Sequence, residues 1–263
     1  MRIALGVEYD GSAFHGWQKQ PDGNTVQDAL QSALSGIAGV PIQVVAAGRT
    51  DTGVHATGQI VHFDTWIERP LNAWVRGTNT YLPAAVAVRW AHPVSDSFHA
   101  RFSAYGRRYR YIVINRPQRT GVWQRHAGWY HHPLDVGRMR QAARMLVGEF
   151  DFSAFRAADC QAKSPVKTMR QADVQRYGDT IVFDFEAGAF LHHMVRNLVG
   201  SLVYIGQGKH PPEWMQQLLA SGDRRIAAPT FSAAGLYLVG VKYEPHWGLP
   251  NSDDFFLPGM AGL

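Results

Sequence analysis

Residues 106–115, GRRYRYIVIN, read as a β-strand, and with them the order of elements that opens the chain begins again. Ahead of them, RIALGVEY (2–9) alternates as a strand and runs into a polar turn. Val26, Ala29, Leu30, Ala33, Leu34 and Ile37 then recur at helical spacing, with Asn24 and Thr25 as candidate caps and Gly36, Gly39 and Pro41 closing the helix. IQVVAA (42–47) and TGQIVHFDT (57–65) read as strands, PLNAWVRGTNTYL (70–82) as a helix and AVAVRW (85–90) as a strand. After GRRYRYIVIN come a helix over DVGRMRQAARMLVGEF (135–150) and a hairpin of MRQADVQRY and TIVFDFEA around Gly178 and Asp179. Helices over LHHMVRNLVGSLVYIG (191–206) and PPEWMQQLLA (211–220) and a last strand, GLYLVGVKY (235–243), complete the second run. Two strand–helix–strand–strand halves imply an α+β protein of two related lobes, residues 1–104 and 105–263. The tail NSDDFFLPGMAGL (251–263) reads as irregular.

With 46% hydrophobic and 18% charged residues over 263 positions, the composition is globular rather than disordered, and the chain is long enough for a sizeable core. No apolar run reaches the length of a membrane span, and the opening MRIALGVEYDG lacks the apolar stretch of a secretion signal. Cys160 is the single cysteine, which excludes an internal disulfide and a cysteine-based zinc cage within one chain. A cytoplasmic location is expected.

Lys and Arg exceed Asp and Glu by five, 26 against 21, which favours a polyanionic partner. Residues 98–119, FHARFSAYGRRYRYIVINRPQR, contain Arg101, Arg107, Arg108, Arg110, Arg116 and Arg119 among tyrosines and phenylalanines, and no acid. QAKSPVKTMRQ (161–171) is a second acid-free patch. Cations neutralise phosphates, and aromatic and guanidinium planes stack on unpaired bases, so two such patches point to nucleic acid.

AAGRTDTGVHATGQ (46–59) sets Arg49, Asp51 and His55 among glycines and small residues. Taken alone, Asp51 could cap a turn, bind a metal, act as a base or attack an electrophile. His131–His132 and His192–His193 are adjacent pairs whose side chains diverge, and no HExxH pattern accompanies them, so no metal is expected.

GRTDTGVHA (48–56) resembles the catalytic motif of the tRNA pseudouridine synthase A family, which isomerises uridine to pseudouridine at tRNA positions 38, 39 and 40 in the anticodon stem-loop. LGVEYDGSAFHGWQ (5–18), DSFHARFSAYGRRYRY (96–111), FRAADCQAKSP (155–165), FLHHMVRNLVGSL (190–202) and GLYLVGVKY (235–243) are similar to family signatures in the family's order. The resemblance implies two ferredoxin-like lobes whose mixed, largely antiparallel sheets meet at a central RNA-binding cleft. It implies Asp51 as the essential carboxylate and Arg196 as its cationic partner. Tyr109 would lie against the target base, Arg49 would help to extrude the uridine, and Leu236 would be an aliphatic wall beneath the uracil. Arg69, the segment Phe98, His99, Ala100, Arg101 and Phe102, and the segment Asp159, Cys160, Gln161, Ala162 and Lys163 match regions that contact tRNA in the family. The family needs no cofactor and works as a homodimer. INRPQRTGVWQRH (114–126) is a stretch where members vary, so contacts there do not transfer. A non-catalytic RNA-binding protein would leave Arg49-Thr50-Asp51 without a role, and an RNA hydrolase would need a ligand set that the sequence does not offer.

Overall fold

The computed structural model describes residues 1–21 and 23–250, so the expectation for residues 251–263 falls outside the described residues. The fold is α+β with largely antiparallel strands, as the pattern implies. The described residues divide into two compact units: Met1–Tyr105 together with 238–250, and Gly106–Tyr237. From Leu238 the last strand therefore groups with the first unit, whereas chain order put all of it in the second lobe. Its residues from Leu238 lie beside a strand of the first unit.

In the first unit, β1 (Arg2–Tyr9) is flanked antiparallel by β3 (His55–Asp64) and β4 (Val86–Val94), with Leu5 opposite both Val61 and Ala91. Ile3, Ala4, Leu5 and Val7 are wholly buried, as befits a central strand. Gly6 has no side chain because the Trp90 indole lies across it, 2.3 Å from where a Cβ would stand. β10 (Leu236–Tyr243) neighbours β3, and the Val239 carbonyl crowds Gly58 so closely that a Cβ there would lie 2.4 Å from its oxygen. The strand expected over 42–47 shrinks to β2 (Val45–Ala46).

Helix α1 (Val26–Ala38) starts where Thr25 caps it. The Thr25 hydroxyl accepts from the Asp28 amide at 3.2 Å and donates to the Asp28 carboxylate at 2.6 Å. Gly39, at φ 72°, ends it in the left-handed conformation. Val26, Leu30, Ala33 and Leu34 are its buried stripe. The helix expected over 70–82 is a π-helical turn, Ala73–Gly77, continued by α2 (Thr78–Tyr81), and its Trp74 is fully buried against Phe63.

In the second unit the strand order is β5 (Ala104–Asn115), β9 (Thr180–Ala187), β8 (Val166–Tyr177), β7 (Gly148–Asp151), all antiparallel, with β6 (Gly128–Tyr130) parallel to β5. The β8–β9 hairpin turns at Gly178, φ 58°, as its sequence implies. The helix expected over 135–150 is corrected: α3 spans only Val136–Arg144, and Gly148, at φ 133°, turns the chain into β7. Helix α4 (Met194–Gly206) buries Met194, Val195, Leu198, Val199 and Leu202, the stripe read from the sequence. Each such side chain contributes about 1.5–3 kcal/mol of transfer free energy. α5 (Trp214–Ser221) completes the unit.

One buried histidine gives the first unit a pH dependence. His62 on β3 is 3% exposed and accepts the Ala100 amide proton at Nδ1, 3.1 Å away. Burial, and then the charges of Arg2 and His99, hold its pKa down at about 4. An unfolded histidine takes its proton near pH 6.5, whereas the folded one refuses it until about pH 4. Stability from this group is therefore complete above pH 6.5 and falls as the pH drops from there to about 4. Urea midpoints measured between pH 7 and 4.5 should decline. His62→Asn, which keeps an acceptor but cannot titrate, should flatten that decline; an unchanged slope would assign it to other groups.

Candidate active site

The first unit holds Asp51 on a short turn between β2 and β3. The turn is closed by the Val54 amide donating to the Asp51 carbonyl at 3.1 Å, with Gly53 at φ 79° in its third position. Thr50, next to it, is held from two directions. Its hydroxyl bonds the buried Tyr9 hydroxyl at 2.8 Å, and its carbonyl accepts the Trp17 amide at 3.0 Å. Gly16, φ 89°, passes so close that a Cβ would lie 2.8 Å from the Thr50 oxygen. Gly11 abuts the Val54 carbonyl, 1.9 Å from where its Cβ would be, and the Gln59 side chain donates through Nε2 to the Gly48 carbonyl at 2.7 Å. The segment 9–17 is thus a backbone plate against which the Asp51 loop is pressed. This explains glycines in the sequence that composition alone left without a purpose.

Within that frame the side chains differ in access. Thr50 and Val54 are buried, Asp51 is partly exposed and Arg49 is exposed. A carboxylate with solvent access on an immobilised backbone is preorganised for chemistry on a bound molecule. His55, 2% exposed, has Nδ1 3.1 Å from both the Asp10 carboxylate and the Gly11 amide, so it fastens the far side of the turn to the plate.

The other expected residues of this unit lie elsewhere. Arg69 is exposed beyond the end of β3. The 98–102 segment closes on itself, with the Ser103 amide donating to the His99 carbonyl, and its Ala100 amide bonds His62. His55 and His62 are seven residues apart, about 23 Å along an extended strand. The segment therefore sits at the opposite end of β3 from the Asp51 turn. Phe98 and Ala100 are fully buried, Phe98 against Tyr243 and Trp247. Its outward surface is Arg101 and Phe102, with the Phe102 ring stacked on His99 at 4.3 Å.

In the second unit, Tyr109 stands on β5 opposite Phe185 and meets the edge of Phe190 at 5.0 Å. Tyr111, two residues on, is wholly buried and donates to the Ser232 carbonyl at 2.7 Å; burial pushes its pKa well up, so it stays a neutral donor. Arg196 on α4 donates through Nε to the Phe231 carbonyl at 2.9 Å, and its own carbonyl accepts the Phe231 amide. The strap 231–236 thereby joins α4 to β5, where the Ile112 amide donates to the Gly235 carbonyl, and Leu236 follows directly. Arg196, Leu236 and the tyrosine strand are brought together within this unit.

The 159–163 segment reaches the start of the same helix. The Asp159 carboxylate bonds His192 Nδ1 at 2.9 Å, and that bond holds the carboxyl below its usual range. The His192 amide donates to Cys160 Sγ at 3.4 Å, and Arg156 holds the carbonyls of Cys160 and Ala162 at 2.6 and 3.0 Å. Burial alone would raise the Cys160 thiol, but amide donors from Ala162 and His192, with Arg156, hold it below its ordinary value. Sequence reading gave Arg156 no role, because an arginine that bonds backbone carbonyls leaves no pattern.

Comparison with known proteins decides the family. A family model described as tRNA pseudouridine synthase matches residues 6–103 and 142–244. The chain belongs to the tRNA pseudouridine synthase family. Its enzymes isomerise uridine to pseudouridine. A tRNA pseudouridine synthase A of Dechloromonas aromatica is 64% identical over 260 residues, 99% of each chain. One of Methylobacillus flagellatus is 58% identical over 261 residues, covering 99% of this chain and all of the other. One of Aromatoleum aromaticum is 60% identical over 251 residues, 95% of each. Asp51, Arg196 and Leu236 fall inside the matched segments of this synthase family, and Tyr109 falls between them.

Gly16→Ala tests the plate. The new methyl group would displace the Thr50 carbonyl or distort a positive φ, a destabilisation of about 1–3 kcal/mol in urea unfolding. Pseudouridine formation by the folded fraction should fall about a hundredfold as Asp51 shifts. Undiminished turnover would show that the turn tolerates displacement.

Proposed function

We propose that the protein converts uridine to pseudouridine at positions 38, 39 and 40 of the tRNA anticodon stem-loop, with Asp51 as the catalytic carboxylate and no cofactor. The observation that carries this reading is the Asp51 turn, clamped at Thr50 by Tyr9 and Trp17 while Asp51 itself keeps solvent access. A turn that only joined two strands would need no such clamp. The reaction breaks N1–C1′, rotates the uracil and joins C5 to C1′; the proton leaving C5 is balanced by one gained at N1. Oxidation state is unchanged and no group is imported, so side chains suffice. Asp51 would add to base or sugar, or remove a sugar proton on the way to a glycal.

Other roles follow the chemistry of each group. Arg49, exposed beside the turn, would fill the space left by the everted uridine, whose unstacking costs roughly a few kcal/mol. Tyr109 would lie on the uracil and accept the C5 proton, Arg196 would be a catalytic cation, and Leu236 an apolar wall. Arg69, residues 98–102 and residues 159–163 would contact the tRNA. An enzyme with these basic segments suits a homodimer in the cytoplasm. Among the described residues no helix is long and apolar enough to cross a membrane.

Tritium release from tRNA labelled at uracil C5 tests the reading directly, since only isomerisation exchanges that hydrogen and leaves the RNA intact. Asp51→Ala should abolish release while tRNA affinity stays within about tenfold, because phosphate contacts supply most of it. Equal loss of binding and turnover would remove Asp51 from the chemistry. Tyr109→Phe should keep affinity and slow release by roughly a hundredfold or more, the usual scale of general acid–base help; full activity would remove the hydroxyl from the mechanism.

A further inference from the structure

Residues 104–141 lie between the segments matched by the family model, and their distal part builds a cavity of about 320 Å³ in the second unit. The cavity opens at the end of β5, around Asn115, and Arg116, His131 and Arg176 line it with Pro117, Pro133 and Leu134. No carboxylate is among its lining residues.

Its walls are fixed by one buried amide. Asn115, 7% exposed, donates through Nδ2 to the carbonyls of Tyr130 and His132 at 3.0 and 2.7 Å. Its Oδ1 accepts from Arg176 at 2.7 Å, and Arg176 also donates to the carbonyls of Leu134 and Gly178 at 3.1 and 3.2 Å. The guanidinium is therefore locked in place, and among the described residues no carboxylate bonds it. Arg116 bonds the Gln118 carbonyl through Nε, and its Nη1 stands 3.9 Å from the carboxylate of Asp179, itself well exposed. Beside them the Trp129 indole donates to the Arg116 carbonyl at 2.9 Å, and the His131 ring lies 5.6 Å from it, with both rings solvent-accessible. Two arginines, two exposed aromatic rings and an apolar floor match the chemistry of a phosphate joined to a base.

We propose that this cavity is a second RNA-binding site that takes one nucleotide of the substrate, its phosphate on Arg116 and Arg176 and its base against His131 and Trp129. Asn115 is six residues from Tyr109, about 20 Å along the strand, so the nucleotide held here is not the one undergoing reaction. The inference rests on RNA being the substrate and adds a point at which that RNA is gripped.

The test compares tRNA binding and turnover for wild type, Arg116→Gln, Arg116→Lys and Arg225→Gln. Arg225 is a control, an exposed arginine paired with Asp223 away from the cavity lining. Arg116→Gln should weaken binding roughly five- to tenfold near 0.1 M salt and reduce the slope of log K against log salt by about 0.7, the share of one phosphate in an unpaired strand. Turnover at saturating tRNA should be unchanged, Arg116→Lys should restore most of the affinity, and Arg225→Gln should match wild type. Ultraviolet cross-linking should join tRNA to the peptide containing Trp129 in wild type and lose that adduct in Arg116→Gln. Wild-type affinity and slope in Arg116→Gln, or an equal loss in Arg225→Gln, would overturn the proposal. Absence of tritium release by wild type, with the Arg116 effect intact, would instead count against the proposed reaction and leave the binding site standing.

Discussion

The hydroxyl pair of Tyr9 and Thr50, buried and 2.8 Å apart, is the contact on which the Asp51 turn depends. It ties the end of the central strand to the residue just before the aspartate. A buried hydroxyl without a partner costs about 1–3 kcal/mol, so the loop cannot leave without exposing one. The Trp17 amide and the close approach of Gly16 add backbone constraints to the same residue. The backbone at Asp51 is thus set by the residue that precedes it.

The second unit solves a comparable problem differently. There the positioning is done by main chain bonded to long polar side chains: Arg196 to Phe231, Arg156 to Cys160 and Ala162, Asn115 to Tyr130 and His132. Arg196 and Asn115 fix irregular segments to a helix and a strand that hydrophobic burial has already set, and Arg156 fixes one to the short 3-10 turn, Ser153–Phe155, that it ends. Loops held this way gain precision without a core of their own.

How much of this is legible in the sequence depends on whether the signal is local. The stripe of α4, the Thr25 cap and the Gly178 hairpin are local, and each appears where its pattern puts it. The helix over 135–150 fails at Gly148, where an apolar run continues at helical spacing but the backbone turns to pair with β8. The grouping of Leu238–Tyr243 with the first unit depends on pairing partners nearly two hundred residues away, which no window can reveal. Among the site residues, Asp51 and Arg49 stand out because they interrupt a bare stretch. Tyr9, Gly16 and Trp17 lie in a quoted motif, yet their purpose is visible only once Thr50 is seen against them.

Because Gly106–Tyr237 is an insertion within the first unit, the order of synthesis and the order of completion differ. As the chain leaves the ribosome, the inserted unit has all its residues before the first unit receives β10. Until then the early half of β3 presents unpaired amides and carbonyls along one side, the kind of edge that invites association with other chains. The nascent protein thus carries its Asp51 turn beside an open seam, and the last strand to be made is the one that seals it.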